Sequence, residues 1–321
     1  MKRKALALIP IFLTVALFET LLVNSAYANF LPFKIPAHSI EITADGNVTG
    51  TDNIKRVGID YEFTANISGN IVVLCDNITI NGNGYSLNGN GGSSGIFLEG
   101  RHDVTIMILT ISNFEDGIVY SCYRSMYSDC KNNALIANNI TNNKRGIICY
   151  LAQNITISGN VISGNSKQGI STFDSSQIQI YGNTLSENNE AFECTHLENS
   201  NIYGNNFINN SNQTNVDPES KRGGSFGWST IKWNNGQLGN FWSDHEGVDA
   251  DKDGICDVPY IIDGNNTDYY PLMAPLTVPP PPPPEPQPEP EPFPTTVVAA
   301  SIVTASIVCA GLLVFLRKRK Y

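Results

Sequence analysis

The stretch Gly146-Ile147-Ile148-Cys149-Tyr150-Leu151-Ala152-Gln153-Asn154-Ile155-Thr156-Ile157-Ser158-Gly159-Asn160-Val161-Ile162 returns in pattern twice further along the chain. Gly169-Ile170 leads to Ile178-Gln179-Ile180-Tyr181-Gly182-Asn183-Thr184-Leu185, and Ala191-Phe192 leads to Ile202-Tyr203-Gly204-Asn205-Asn206-Phe207. The period is 22 to 23 residues and extends upstream through Gly117, Gly95 and Ile78-Thr79-Ile80-Asn81-Gly82-Asn83. An insertion between Cys122 and Cys130 lengthens one copy to 29. A fixed period of this size marks a solenoid, in which each copy is one turn and buries its apolar side only against its neighbours.

Within a copy the apolar residues alternate, as in Ile155-Thr156-Ile157 and Ile178-Gln179-Ile180, and Gly or Asn interrupts after three to five residues. That is strand periodicity with turns. Leucine-rich repeats share the length but would repeat Leu, whereas Ile, Val, Thr, Gly and Asn dominate here. The expected fold is therefore all-β, a right-handed single-stranded parallel β-helix of about six turns over residues 71–215. Asn138, Asn160, Asn183 and Asn205 fall at equivalent positions, so turns stacked about 4.8 Å apart should join their amides in a ladder. Cys149, Thr172 and Cys194 share an inward position, which separates the two thiols by two turns, roughly 10 Å, and rules out a bridge.

The ends place the protein. Met1-Lys2-Arg3-Lys4, the apolar run Ala5–Phe18 and Ser25-Ala26-Tyr27-Ala28 read as a cleaved secretory leader, 1–28. The run 295–316 is uncharged and long enough to cross a bilayer as a helix, and the basic tail 317–321 should stay on the cytoplasmic side. Between them, residues 275–294 form a Pro-rich stalk. Its Pro279–Pro294 part, extended as polyproline at about 3.1 Å per residue, would span some 50 Å. Residues 29–70 are N-terminal strands or a cap, and 216–274 a C-terminal cap. Without the leader's one acid and three bases and the tail's four bases, 29 acidic residues face 13 basic ones. Such a balance argues against nucleic acid or anionic lipid as partner.

Six of the seven cysteines precede the apolar C-terminal run, and Cys122 with Cys130 is the best guess for a disulfide in an exported protein. Eight Asn-x-Ser/Thr sequons suit a glycosylated surface.

The block Gly146–Asn210 resembles the parallel β-helix repeat of pectin-lyase-like folds and of proteins related to NosD. Ile42-Thr43-Ala44-Asp45-Gly46, the Ile71–Asn90 turn and Gly239-Asn240-Phe241-Trp242-Ser243-Asp244 are similar to archaeal cell-surface proteins of this class, so the resemblance covers about 39–273. It implies the fold and a broad carbohydrate-binding or sugar-processing role. It also implies copper delivery, yet copper asks for clustered His, Cys or Met, and His38, His102, His196 and His245 are scattered.

Asp249-Ala250-Asp251-Lys252-Asp253-Gly254-Ile255-Cys256-Asp257 reads D-x-D-x-D-G-x-x-D. Carboxylates at alternate positions, with Gly where the loop turns, converge on a hard cation. The expected Ca²⁺ ligands are Asp249, Asp251, Asp253, the Ile255 carbonyl and Asp257, with Asp244, Glu246 and Asp263 as candidates to complete the shell. Tyr260 stands where an EF-hand has its bidentate Glu. Trp228, Trp233, Trp242, Tyr260, Tyr269 and Tyr270 crowd the same region, and packing over the open end of the core is their expected use.

For catalysis, stacking places Asp116, Arg145, Gln168 and Glu190 in one column and Asp174 beside His196 in another. The pair Asp174 and His196 is the candidate for proton transfer. The expected function is a membrane-anchored, non-catalytic surface rod that binds glycans or envelope partners or serves as a surface scaffold. A polysaccharide lyase or glycoside hydrolase is the alternative, and copper delivery comes third.

Overall fold

A computed structural model describes residues 39–122, 130–216 and 229–277. The leader, the apolar run 295–316, the basic tail, residues 278–294 of the stalk, residues 123–129 and Trp228 lie outside the described residues. The chain divides into Met1–Pro281 and Pro282–Tyr321, and everything described belongs to the first unit. No helix among the described residues is long and apolar enough to cross a membrane.

The short alternating runs form strands throughout. Ser94–Glu99, Val104–Met107 and Thr110–Ser112 make one turn of the coil, and Asp116–Ser121 brings the chain back above its start. Each turn thus gives one strand to each of three sheets, which hold nine, nine and eight strands. Consecutive turns pair in parallel: Ser94 lies opposite Asp116, Asp116 opposite Arg145, and Gln168 opposite Glu190. The 29-residue copy therefore keeps its register. The rod has about seven turns. That is one more than the repeat count, because Ile40–Ile42, Asp60–Phe63 and Ile67–Ser68 already pair in parallel with Ile71–Val73, Ile78–Asn81 and Ser86–Asn88. The departures from the repeat in these first strands hid them from the pattern.

Inside, alternation becomes columns. Ile80, Ile106, Leu135, Ile157, Ile180 and Ile202 stand over one another in the second sheet, all fully buried. Burying each such side chain is worth about 1.5–3 kcal/mol. The Gly that opens all but the last of these copies has a steric cause: a Cβ on Gly146 would stand 2.4 Å from the carbonyl oxygen of Gly169 one turn on. The bend between second and third sheets needs left-handed backbone, taken by Ile108, Ala137, Gly159, Gly182 and Gly204 in successive turns.

Asn138, Asn160, Asn183, Asn205 and Asn240 form the ladder, each side-chain amide donating to the next at 2.9–3.1 Å. A second ladder, absent from the sequence reading, joins Asn165, Asn188 and Asn210 at 2.9–3.0 Å. Cys149, Thr172 and Cys194 are consecutive in one buried column, two turns separating the thiols. No disulfide joins the described cysteines, so the expected Cys122–Cys130 bridge is not seen. The two are neighbours nonetheless: the Cys130 N–H donates to Cys122 Sγ at 2.9 Å.

Beyond the last full turn, Ile231–Lys232 and Phe241–Trp242 add a final strand to the second and third sheets. Trp242 stacks between Phe207 (4.3 Å) and Tyr260 (4.2 Å), while Trp233 meets Phe192 edge-on at 5.9 Å. Both indoles are buried, whereas Tyr269 is largely exposed.

Candidate functional site

Four places on the rod carry chemistry. On the first sheet, the parallel register sets Asp174 beside His196, as the spacing requires, and their Oδ1 and Nδ1 atoms are 3.2 Å apart. Glu198, which the sequence reading missed, sits 3.1 Å from the other ring nitrogen. The two carboxylates therefore occupy opposite edges of one imidazole, an arrangement that orients the ring but does not converge on a metal. Further along the same strand, burial pushes the Glu193 carboxyl up, Ser171 donates to it at 2.9 Å, and the Glu190 charge raises it further. Glu190 accepts from Gln168 at 2.9 Å, and Asp116 accepts from Arg145 Nε at 2.6 Å, so that column is paired internally.

The acidic loop folds on itself. Ligand atoms of Asp249, Asp251 and Asp253 all lie within 4.8 Å of one another. Asp249 accepts the N–H groups of Lys252, Asp253 and Gly254 at 2.7, 3.2 and 2.9 Å. Desolvation is the largest single influence and raises its carboxyl, but the N–H donors together outweigh it and hold the group below the usual range. The Asp253 charge pushes Asp251 up. Asp257 closes the loop by accepting from Ala250 N at 2.8 Å. Asp244 and Asp263 are engaged elsewhere, with Tyr260 Oη and with Asn266.

Among the described residues no three soft ligands converge on one point. His102 contacts Asp103 and Asp76. His245 Nε2 faces the Val258 carbonyl at 2.8 Å and must donate there, which takes that nitrogen out of metal binding.

On the second sheet one outward row is polar at all but one position. Thr79, Thr105, Ala134, Thr156, Gln179 and Asn201 form one row by register. The neighbouring row ends in Tyr181 and Tyr203, whose rings stack with centroids 5.5 Å apart. A cavity of about 480 Å³ opens beside them, lined by Gln179, Asn201, Tyr203, Lys232, Asn234, Asn235 and Gly236. The row was legible in the strand alternation, but the cavity was not, because its far wall comes from the non-repeating segment.

The molecule is thus a parallel β-solenoid with an acidic loop beyond its last turn. It belongs to the NosD family: the family's model, described as periplasmic copper-binding protein (NosD), matches residues 38–247. No curated protein matches the chain. Among solved structures, the periplasmic alginate epimerase AlgG shares 14% identity over 49% of this chain and 41% of that one, with a TM-score of 0.35. A double mutant of the same enzyme gives 13% identity, 51% and 50% coverage, and a TM-score of 0.32. The chain spans about half the length of these structures or less, and likeness at this level says nothing of what it does.

Proposed function

We propose that this protein is a non-catalytic, extracytoplasmic rod that binds glycans or envelope partners, tethered by 295–316 after loss of 1–28. The observation that carries this reading is the outer face of the second sheet, where rows of hydroxyls and amides run beside the stacked Tyr181 and Tyr203. Sugars are bound by that combination, hydroxyl and amide hydrogen bonds with an aromatic face. The family's description as periplasmic fits an exported domain. The coil is right-handed in this reading, as crossovers between parallel strands are.

The test is a glycan-array and polysaccharide-depolymerisation screen on the purified full-length chain with calcium present. Retention of a glycan without cleavage is expected. Released reducing or unsaturated ends would establish instead a polysaccharide-active enzyme, the reading favoured by His196 between Asp174 and Glu198 and by the raised Glu193. Copper delivery, suggested by the family's description, finds no cluster of soft ligands among the described residues.

Ca²⁺ at Asp249, Asp251, Asp253, the Ile255 carbonyl and Asp257 belongs to the same proposal. All-oxygen ligands suit a hard cation, and a cation would relieve the repulsion that raises Asp251. Its role is structural, bracing the segment 216–274 as a cap over the rod's end. Millimolar calcium is expected to raise the melting temperature of the native protein and to leave Asp251→Asn/Asp253→Asn unmoved. Identical melting of the native protein with calcium and with chelator would remove the site.

A further inference from the structure

We infer that the cavity beside Tyr203 is a subsite for a pyranose ring carrying an anionic substituent, a carboxylate or a sulfate. This rests on the glycan-binding reading above and locates it. Tyr203 lies between the strand of Tyr181 and the strand of Lys232. Tyr181 stacks on one side of it. Register pairs Asn201 with Lys232, so the position that continues the aromatic row past Tyr203 is two residues further, at Asn234. Among the described residues no third ring continues the stack there, and the cavity of about 480 Å³ lies at that place. That volume falls in the range of small-ligand pockets, about 300–1,000 Å³. A sugar ring stacked beyond Tyr203 completes the row.

The polar groups are already set. Asn201 Nδ2 donates to Gln179 Oε1 at 2.9 Å, which fixes both amides and leaves the Asn201 oxygen and the Gln179 nitrogen for hydroxyls. The opposite wall is a self-bonded turn: Asn235 Oδ1 accepts from the N–H groups of Gln237 and Leu238 at 3.1 and 2.9 Å, and Asn234 Oδ1 from Gly236 at 3.1 Å. A wall held by its own hydrogen bonds costs little ordering on binding.

Charge selects the class of sugar. Lys232 is exposed at the cavity rim, and no carboxylate among the described residues pairs with it. On a strongly acidic chain, a lone cation at a pocket of amides is a place for an anionic group, not for a neutral one.

The experiment is calorimetric titration of the full-length protein with three probes: trigalacturonic acid, a heparin-derived tetrasaccharide and neutral cellotriose. Binding of one or both anionic probes about tenfold more tightly than cellotriose is expected, with the stronger of the two identifying carboxylate or sulfate. Tyr203→Ala should weaken that binding about tenfold, as loss of one stacking face does. Lys232→Gln, an exposed change that leaves the fold intact, should abolish the preference for charge and its salt dependence. Tyr269→Ala, at an exposed ring elsewhere, should change nothing. Anionic binding that survives both Tyr203→Ala and Lys232→Gln would overturn the subsite while leaving the glycan reading in place. Equal affinity for all three probes would overturn the charge assignment, and failure of the protein to bind any glycan, on the array or here, would remove the reading and the subsite together.

Discussion

Replacing Asn183 by Ala is expected to cost about 3–5 kcal/mol, a large part of the total stability of a domain. The reason is the number of buried groups that one amide serves. Asn183 Oδ1 accepts from the backbone N–H and the side-chain amide of Asn160, both at 2.9 Å. Its Nδ2 donates to Ile157 O at 2.8 Å, Tyr181 O at 3.1 Å and Asn205 Oδ1 at 2.9 Å. Alanine leaves the buried Asn160 N–H without its acceptor and takes one bond each from the Asn160 amide, which keeps Leu135 O and Ser158 O, from the Ile157 carbonyl and from Asn205, and an unmade buried bond costs about 1–3 kcal/mol. Because each turn contacts only its neighbours, the break should divide the rod into two cooperative blocks. Denaturant unfolding and hydrogen exchange would show this as a second transition. Asn139→Ala, one residue past the ladder and exposed, should shift stability by less than about 0.5 kcal/mol. Equal effects at Asn183 and Asn139 would refute the ladder's role.

Asp268→Ala should be nearly as costly, about 3 kcal/mol or more, but confined to the C-terminal segment. This fully buried carboxylate ends the ladder. It accepts from Asn240 N at 2.7 Å, Trp242 Nε1 at 3.0 Å and Tyr270 N at 3.1 Å. A Cβ on Gly239 would fall 2.0 Å from Asp268 Oδ1, so Gly239→Ala should reproduce the defect by expelling the carboxylate. Asp268→Asn should be milder, since one oxygen still serves Asn240 and Trp242 while its NH₂ faces the Tyr270 N–H. Indole fluorescence from Trp233 and Trp242 and exchange at Asn240 and Tyr270 report the segment directly.

The same residue has a pH signature. Burial raises Asp268 above its ordinary 3.8, more than its N–H donors lower it. A group whose folded pKa is raised favours the folded state fully below its unfolded pKa, and that contribution fades as pH rises through the folded value. The C-terminal segment should therefore gain stability from Asp268 on mild acidification, and Asp268→Asn should lack the gain. Asp249, held low, acts in the opposite sense: its contribution is present above its unfolded pKa and fades as pH falls through the folded one.

Much of this was legible in one dimension. The return of Gly146, Gly169 and Ala191 and the alternation around Ile157 and Ile180 determine a coil of strands, because a strand has period two and a stacked turn has a fixed length. The same spacing put Asp174 beside His196, and Asn160 over Asn183. The alternate aspartates from Asp249 to Asp253 likewise converge, since loop carboxylates two residues apart share a side. Tertiary structure decided the rest. Glu198 closes the His196 site and Asn234 leaves the gap beyond Tyr203. Asp268 reaches Asn240 from 28 positions away. Cys122 and Cys130 meet as thiols, a bond that proximity alone does not make. These contacts join residues outside the period or choose among side chains within reach. Period and alternation say which residues share a face, but packing beyond the last repeat determines what stands opposite it.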